Sequence, residues 1–405
     1  MTIGALPNTE NLDSPAPAGW TITPEHKRLD RTRSRAAARK HRPERFQLAT
    51  DIHDEQIRRL LRDNPMPGPI RLSMEREPNY FAASSIDGAE SHSIVAIEND
   101  RAICAGSASA RQRFVNGSES RVGYLSGLRL DHSCHGRASI LLRGFQRFRD
   151  LHREYAGPPI YLMSILSRNQ RAIRFLERNL PEMPTCRRLG EFAAFMIRCR
   201  ARRRSRAGGL TIREARQSDL PMIAALLNAQ NRQQQFAPVW TAQSLGQCAE
   251  LKAEDFRIAH DSAGCLVACA AIWDQRPLRQ TVVRGYSPRI AQLRPVINFA
   301  SHFLPTPRIP DIGQVLPFAF ASHVAAATPV ALVGVLDALQ SAALARGIKF
   351  LTTGFDTRDP RLQTLRSNCR GREYRSRLYA VHWDDGADAV SALEENLLNP
   401  EVALL

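Results

Sequence analysis

Nothing in the chain approaches the ~18 consecutive apolar residues of a helical membrane span. The first twenty residues, MTIGALPNTENLDSPAPAGW, lack the basic start and apolar core of a secretory signal, and Glu10 and Asp13 argue against a mitochondrial presequence. A cytoplasmic protein is expected. Cysteines at metal-binding spacing are also missing. The eight fall at 104, 134, 186, 199, 248, 265, 269 and 369, and only Cys265 and Cys269 are close, inside the apolar run CLVACAAIW. His132, Cys134 and His135 crowd one loop too tightly to close a tetrahedral site without distant partners, so no metal is expected.

Acidic residues are the scarce sign: 40 against 56 Lys and Arg, a net charge of +16. The excess is local. Residues 26–45 hold nine Lys/Arg against Asp30 and Glu44, and RCRARRRSR at 198–206 adds six Arg with no acid, which leaves +3 for everything else. A basic tail and a basic linker attract anions in a salt-sensitive way, but they do not make a sequence-specific nucleic-acid reader.

What is present is the composition of an ordinary soluble fold, 43% hydrophobic and 24% charged, in 405 residues, enough for two domains or three. Residues 1–43, rich in Pro, Ser, Ala and Arg without apolar periodicity, are expected to be disordered. A strand is expected at 46–52, then a helix opened by Asp54 and closed at Asn64-Pro65, and a short helix near 80–84. Strands at 93–98 and 102–111 turn at Asn99-Asp100, and a polar turn at 116–120 leads onward.

The chain is organised around VGYLSGLRLDHSCHGRASILLRGFQRFRDLHREY at 122–155. Val122, Tyr124, Leu128 and Leu130 favour a strand. Ala138, Leu141, Leu142, Phe145, Phe148, His152 and Tyr155 recur at helical spacing, with arginines on the other face. Between them, small residues at Ser133–Ala138 open a helix N-terminus, where free N–H groups and the helix dipole suit an anion such as a diphosphate. A strand at 160–165 follows, then a helix opened by Ser167 with Gln170 as a capping box, and a strand at 187–198.

The same order returns after the linker. LTIREARQSDLPMIAALLN reads as a strand and a helix capped by Ser218; a hairpin turns at 261–264; strand 314–326, helix 329–346, strand 349–354, a helix near 360–366 and strand 374–383 follow. SRNQRAIRF at 167–175 corresponds to TRDPRLQTL at 357–365. The pattern implies an internal duplication of one α/β unit, with a short helix at 387–398 and frayed ends beyond it.

Both halves resemble the GNAT N-acyltransferase superfamily. YLSGLRLDHSCHGRASILL resembles the family's fourth strand, diphosphate loop and following helix; SRNQRAIRF resembles its Asn-x-x-Ala-x-x-Tyr helix; IREARQSDLPMIAALLN resembles its first strand and helix. The resemblance implies an α/β fold with a mixed sheet in two tandem units. The tail is 1–43, the coenzyme-binding unit 44–199, the linker 200–209, the second unit 210–385 and a C-terminal tail 386–405. It implies acetyl-CoA or another acyl-CoA as co-substrate and an amine acceptor, without specific nucleic acid, in a monomer that forms its own pseudo-dimer.

In that reading Leu128 and Leu130 pair with the pantetheine arm, His135, Gly136, Arg137 and Ala138 hold the diphosphate, and Asn169 touches the coenzyme. The departures are specific. The family loop is Arg/Gln-x-x-Gly-x-Gly/Ala, whereas Gly136 and Ala138 follow Ser133 in the first slot, and a register two residues along trades the glycines for His135. Phe175 replaces the Tyr that protonates the leaving thiolate, leaving Tyr124 or Tyr161 as substitutes, and Ser126 stands where relatives often carry Glu. His323 reads as a packed histidine. The second half starts its helix on Ala-Ala-Thr-Pro, which removes one phosphate-binding N–H, and is expected not to bind coenzyme. Two other readings stay open: a non-catalytic acyl-CoA sensor, and a partner protein acting through its Arg-rich segments.

Overall fold

The computed structural model describes residues 46–88, 90–134, 136–201, 209–300 and 308–405. The expected disordered tail, His135 and most of the linker lie outside them. In the first half, β1 (Phe46–Leu48), α1 (Asp54–Asp63), β2 (Ile70–Glu75) and α2 (Ser84–Asp87) precede the hairpin strands β3 (Glu90–Glu98), β4 (Arg101–Val115) and β5 (Ser118–Leu130). Then come α3 (Ala138–Glu154), β6 (Tyr161–Leu166), α4 (Gln170–Leu176) and β7 (Thr185–Arg198).

The second half runs β8 (Thr211–Glu214), α5 (Leu220–Asn231), α6 (Ala242–Gly246), β9 (Phe256–His260), β10 (Leu266–Trp273), β11 (Gln280–Tyr286) and α7 (Pro288–Ala300). It continues with β12 (Phe318–Ala326), α8 (Pro329–Ala345), β13 (Phe350–Asp356), α9 (Pro360–Asn368), β14 (Gly371–His382) and α10 (Ala387–Ser391).

Local chemistry accounts for the hairpins. Asn99 and Asp100 (φ 51° and 59°) and Asn116 and Gly117 (φ 50° and 77°) supply consecutive left-handed residues, the requirement of two-residue turns that match strand twist. The parallel step from β5 to β6 needs a crossover, which α3 provides. That helix buries Ile140, Gly144, Phe145, Phe148, Leu151 and His152, whereas Leu141 and Leu142 are half-buried and Tyr155 is exposed, so its apolar face is rotated from the expected one. Phe145 and Phe148 each contribute on the order of 1.5–3 kcal/mol by burial.

Among the described residues, twelve strands form one mixed sheet in the order β1-β3-β4-β5-β6-β14-β7-β13-β12-β10-β9-β8, and β2 and β11 form a separate ribbon joining the halves. The order reads alike from either end. Five strands of the first half are followed by the last strand of the second, and five of the second by the last strand of the first. β7 and β14 pair antiparallel from Gly371↔Ile197 to His382↔Thr185, and each then pairs with the other half's parallel-crossover strand. Residues 44–405 form a single unit.

Several expectations change. The first strand stops at Leu48 and a 3-10 turn follows at Asp51–His53. Asn169, not Ser167, caps α4: its Oδ1 accepts from Ala172 N at 3.2 Å, and Asp359 does the same for α9 through Arg361 N at 2.8 Å. Ahead of α5 it is Asp219 rather than Ser218 that accepts a backbone N–H, from Arg216 at 2.7 Å. The end of the chain is not frayed. α10 stops at Ser391, and Leu398, Val402, Ala403 and Leu404 are buried, because the apolar run LLNPEVALL finds a groove in the sheet. Arg113 Nη1 donates to Pro400 O at 2.9 Å and Gln275 Nε2 to Ala403 O at 2.9 Å, which fixes this segment.

Candidate active site

The two parallel strand pairs are short. β5 meets β6 at Gly123↔Tyr161 and Tyr124↔Leu162, and β12 meets β13 from Phe318↔Phe350 to Phe320↔Thr352; beyond these pairs both diverge. At the opening, each bulges. β5 carries one extra residue between Ser126↔Ser107 and Arg129↔Ala105, with Gly127 at φ 63°. A left-handed glycine in a strand is the geometry of a bulge that re-aims the backbone. Past it, Asp131 N donates to Ile103 O at 2.8 Å, on the β4 side. Strand alternation therefore turns the N–H and C=O of Leu130, and of Leu128 two residues earlier, toward the divergence. Among the described residues, the N–H groups of Gly127, Leu128 and Leu130 make no hydrogen bond outside the β4–β5 ladder. The Leu128 residue is 37% exposed. These two expected residues thus line one open edge.

The loop before α3 behaves differently from expectation. Arg137 N donates to Cys134 O at 3.1 Å and Ala138 N to Gly136 O at 3.0 Å, while Cys134 N donates to Asp131 O and Ser133 N to Asp131 Oδ1. Those amides are satisfied within the turn, because Asp131 folds the loop back on itself. The Arg137 guanidinium pairs with Glu98 at 3.2 Å, so its charge is offset. Among the described residues, Gly136 and Ser139 keep main-chain N–H groups without a partner. Gly136 is left-handed (φ 96°), and a Cβ there would meet nothing within 4 Å.

Tyr124 is 8% exposed, and burial pushes its hydroxyl up, so it stays protonated. It lies three residues from Gly127 on the side of the sheet that Ser126 also faces. Tyr161 is engaged elsewhere: its hydroxyl meets His152 Nδ1 at 3.2 Å, and His152 Nε2 meets Asp385 Oδ2 at 2.7 Å. Phe175 packs against the α3 core. With Oδ1 spent on its cap, Asn169 has only its amide NH₂ left to offer a ligand.

The second half's opening is filled. His323 sits at the bulge of β12 with φ 54°, and its N–H donates to Glu401 Oε2 at 2.9 Å. Ala326 N, in the register of Leu130, donates to Gln230 Oε1 at 3.2 Å. Val402 rests against Gly354 of β13. The His323 ring lies among Trp240, Trp273 and Phe256 at 4.4, 5.4 and 5.5 Å between centroids, and burial pushes its pKa down to about 3. It is packed, as expected.

Sequence reading missed the bulge and the polar face of β4 beside it. An isolated glycine inside a strand, Ser126-Gly127-Leu128, is the signal for the first. The alternation Ser107, Ser109, Arg111, Arg113 is the signal for the second, since one face of a long central strand is then polar. No helix of the described residues is long and apolar enough to cross a membrane.

No protein-family model matches the sequence, nor does any curated protein. Among solved structures, the Saccharomyces cerevisiae N-myristoyltransferase with bound myristoyl-CoA aligns with a TM-score of 0.54 at 10% identity, over 83% of this chain and 82% of its own. GCN5-related N-acetyltransferases align at 0.44 (Sphaerobacter thermophilus, 14% identity, 72% of this chain and 80% of that one) and 0.45 (Anabaena variabilis, 11%, 83% and 72%). The yeast comparison carries the conclusion that the chain has a GNAT-like mixed α/β fold.

Proposed function

We propose that this chain is an N-acyltransferase that moves an acyl group from acyl-coenzyme A to an amine, with the chemistry in the first half. The observation that carries the reading is the bulged edge of β5, whose outward N–H and C=O groups face a gap between two parallel strands. An extended pantetheine arm adds to such an edge as another strand would, pairing with Leu128 and Leu130. The N–H groups at Gly127 and Leu128 then hold the thioester oxygen as it gains charge. Gly136 and Ser139 take the diphosphate at the start of α3. The amine forms the new C–N bond, the C–S bond breaks, the thiolate takes a proton, and the ammonium loses one to solvent. Tyr124, kept protonated, supplies the thiolate's proton.

The palindromic strand order supports two tandem units, 44–199 and 210–385, of which the second lends its last strand and a wall. The bound myristoyl-CoA of the yeast relative in fold supports a thioester co-substrate.

The test is thiol release from acetyl-CoA and myristoyl-CoA across an amine panel, alongside calorimetry of the coenzyme alone. Tyr124→Phe should lower kcat on the order of 10²-fold with little change in KM. Gly136→Asp should remove binding. The satisfied loop amides and Phe175 favour a second reading, a coenzyme sensor, which predicts binding without thiol release on any amine. Absence of coenzyme binding sinks both.

A further inference from the structure

Buried guanidinium groups normally face carboxylates, because an uncompensated charge away from water is costly. On the face of the sheet away from α3, Arg111 and Arg113 of β4 project from the same side as Ser126 and Tyr124. Arg111 Nη2 donates only to Ile86 O, at 2.8 Å, and Arg113 Nη1 to Phe236 O and Pro400 O, at 2.7 and 2.9 Å. Neither has an ion-pair partner among the described residues. Next to Ile86, Asp87 is gripped twice, by Arg76 at 3.1 Å and by Arg279 from the ribbon strand side of the second half. Four guanidinium groups thus gather around two carboxylates, Asp87 and Glu401. Glu401 spends itself on the His323 N–H, and burial raises its pKa toward the neutral form. The Nε groups of Arg113 and Arg279 are buried without partners, and the side chains of Arg76 and Arg279 are only 14% and 19% exposed. The cluster is short of negative charge.

The geometry points to an anion site that takes the carboxylate or phosphate end of the amine acceptor, an inference that rests on the acyltransferase reading. Arg111 faces Val122, five residues before Gly127, roughly 16 Å along the strand at about 3.3 Å per residue. A thioester lying in the gap with its diphosphate on the α3 side is met by the acceptor from the arginine side. The acceptor is therefore an elongated amine with an anionic far end, such as a short peptide, rather than a single amino acid.

Binding is tested first without coenzyme, by thermal shift of the full chain. Inorganic phosphate and tetra-alanine should raise Tm above sodium chloride of equal ionic strength, and tetra-alanine amide should not. Arg111→Gln should weaken both at least 10-fold, while Arg111→Lys stays within about 3-fold and shows that loss of fold is not the cause. Turnover then compares tetra-alanine with its amide and 6-aminohexyl phosphate with 6-aminohexanol, which separates carboxylate from phosphate. A preference of at least 10-fold in kcat/KM for one anionic member, abolished in Arg111→Gln, supports the site. Equal shifts for carboxylate and amide, or a response untouched in Arg111→Gln, overturns it. Turnover indifferent to the anionic group overturns this inference alone; anion binding with no turnover of any amine overturns the acyltransferase reading and the acceptor role with it.

Discussion

The two bulged strands differ by who occupies them. At β5 the bulge residue is Gly127, and the backbone past it faces an open gap. At β12 it is His323, its N–H is held by Glu401, the next outward N–H by Gln230, and the chain's own last residues lie between the diverging strands. The same backbone device is left exposed in one place and covered by the chain itself in the other. The first also has seven residues between strand and helix, Asp131–Arg137, and the second only Ala327 and Thr328.

The sharpest way to break this contrast is at the glycine. Gly127→Val puts a β-branched side chain at φ 63° and displaces the N–H groups proposed for the thioester oxygen, so thiol release should fall about 10²–10³-fold. Activity that survives it would put the reaction elsewhere. Next comes the filled side. Leu404→Ala removes a buried side chain from the plug and should cost about 2–4 kcal/mol in denaturant unfolding. A cost below ~1 kcal/mol would mean that the segment merely rests in its groove.

The third test uses acid. The folded chain keeps His323 neutral down to about 3, with Arg111 and Glu401 nearby, whereas a free imidazole protonates near 6.5. Below 6.5 the unfolded state therefore binds a proton that the folded state refuses. Stability is whole above that pH and declines toward 3, by at most about 1.4 kcal/mol per pH unit from this group. His323→Gln should flatten that decline in unfolding curves taken from pH 7 to 4. The smallest effects are matched. Asn169→Ala and Thr328→Ala each remove one helix cap, in the first and second half, and each should cost about 1 kcal/mol by thermal melt.

Much of the fold was legible because local rules carried it. The turns at Asn99-Asp100 and Asn116-Gly117, the helix after β5 and the matched motifs at 167–175 and 357–365 all follow from short-range patterns. The exchange of β7 and β14 was not, since alternation tells which face a strand buries but not which strand lies beside it. β2 and β11 escaped for the same reason: each finds its partner about two hundred residues away. At the site, strand alternation turns Leu128 and Leu130 toward the diverging edge, while the N–H groups of Arg137 and Ala138 are taken by Cys134 O and Gly136 O, a choice between rival partners that no spacing reveals.

The traded strands also settle what a break in the basic linker can do. Were the backbone cut between Ala201 and Gly209, the amino-terminal piece would still hold β7 deep among the strands of its companion, and the companion would still hold β14 against β6. The two fragments would stay woven together through both exchanged strands, and prising them apart would mean melting each one. Proteolysis there nicks the molecule without dividing it.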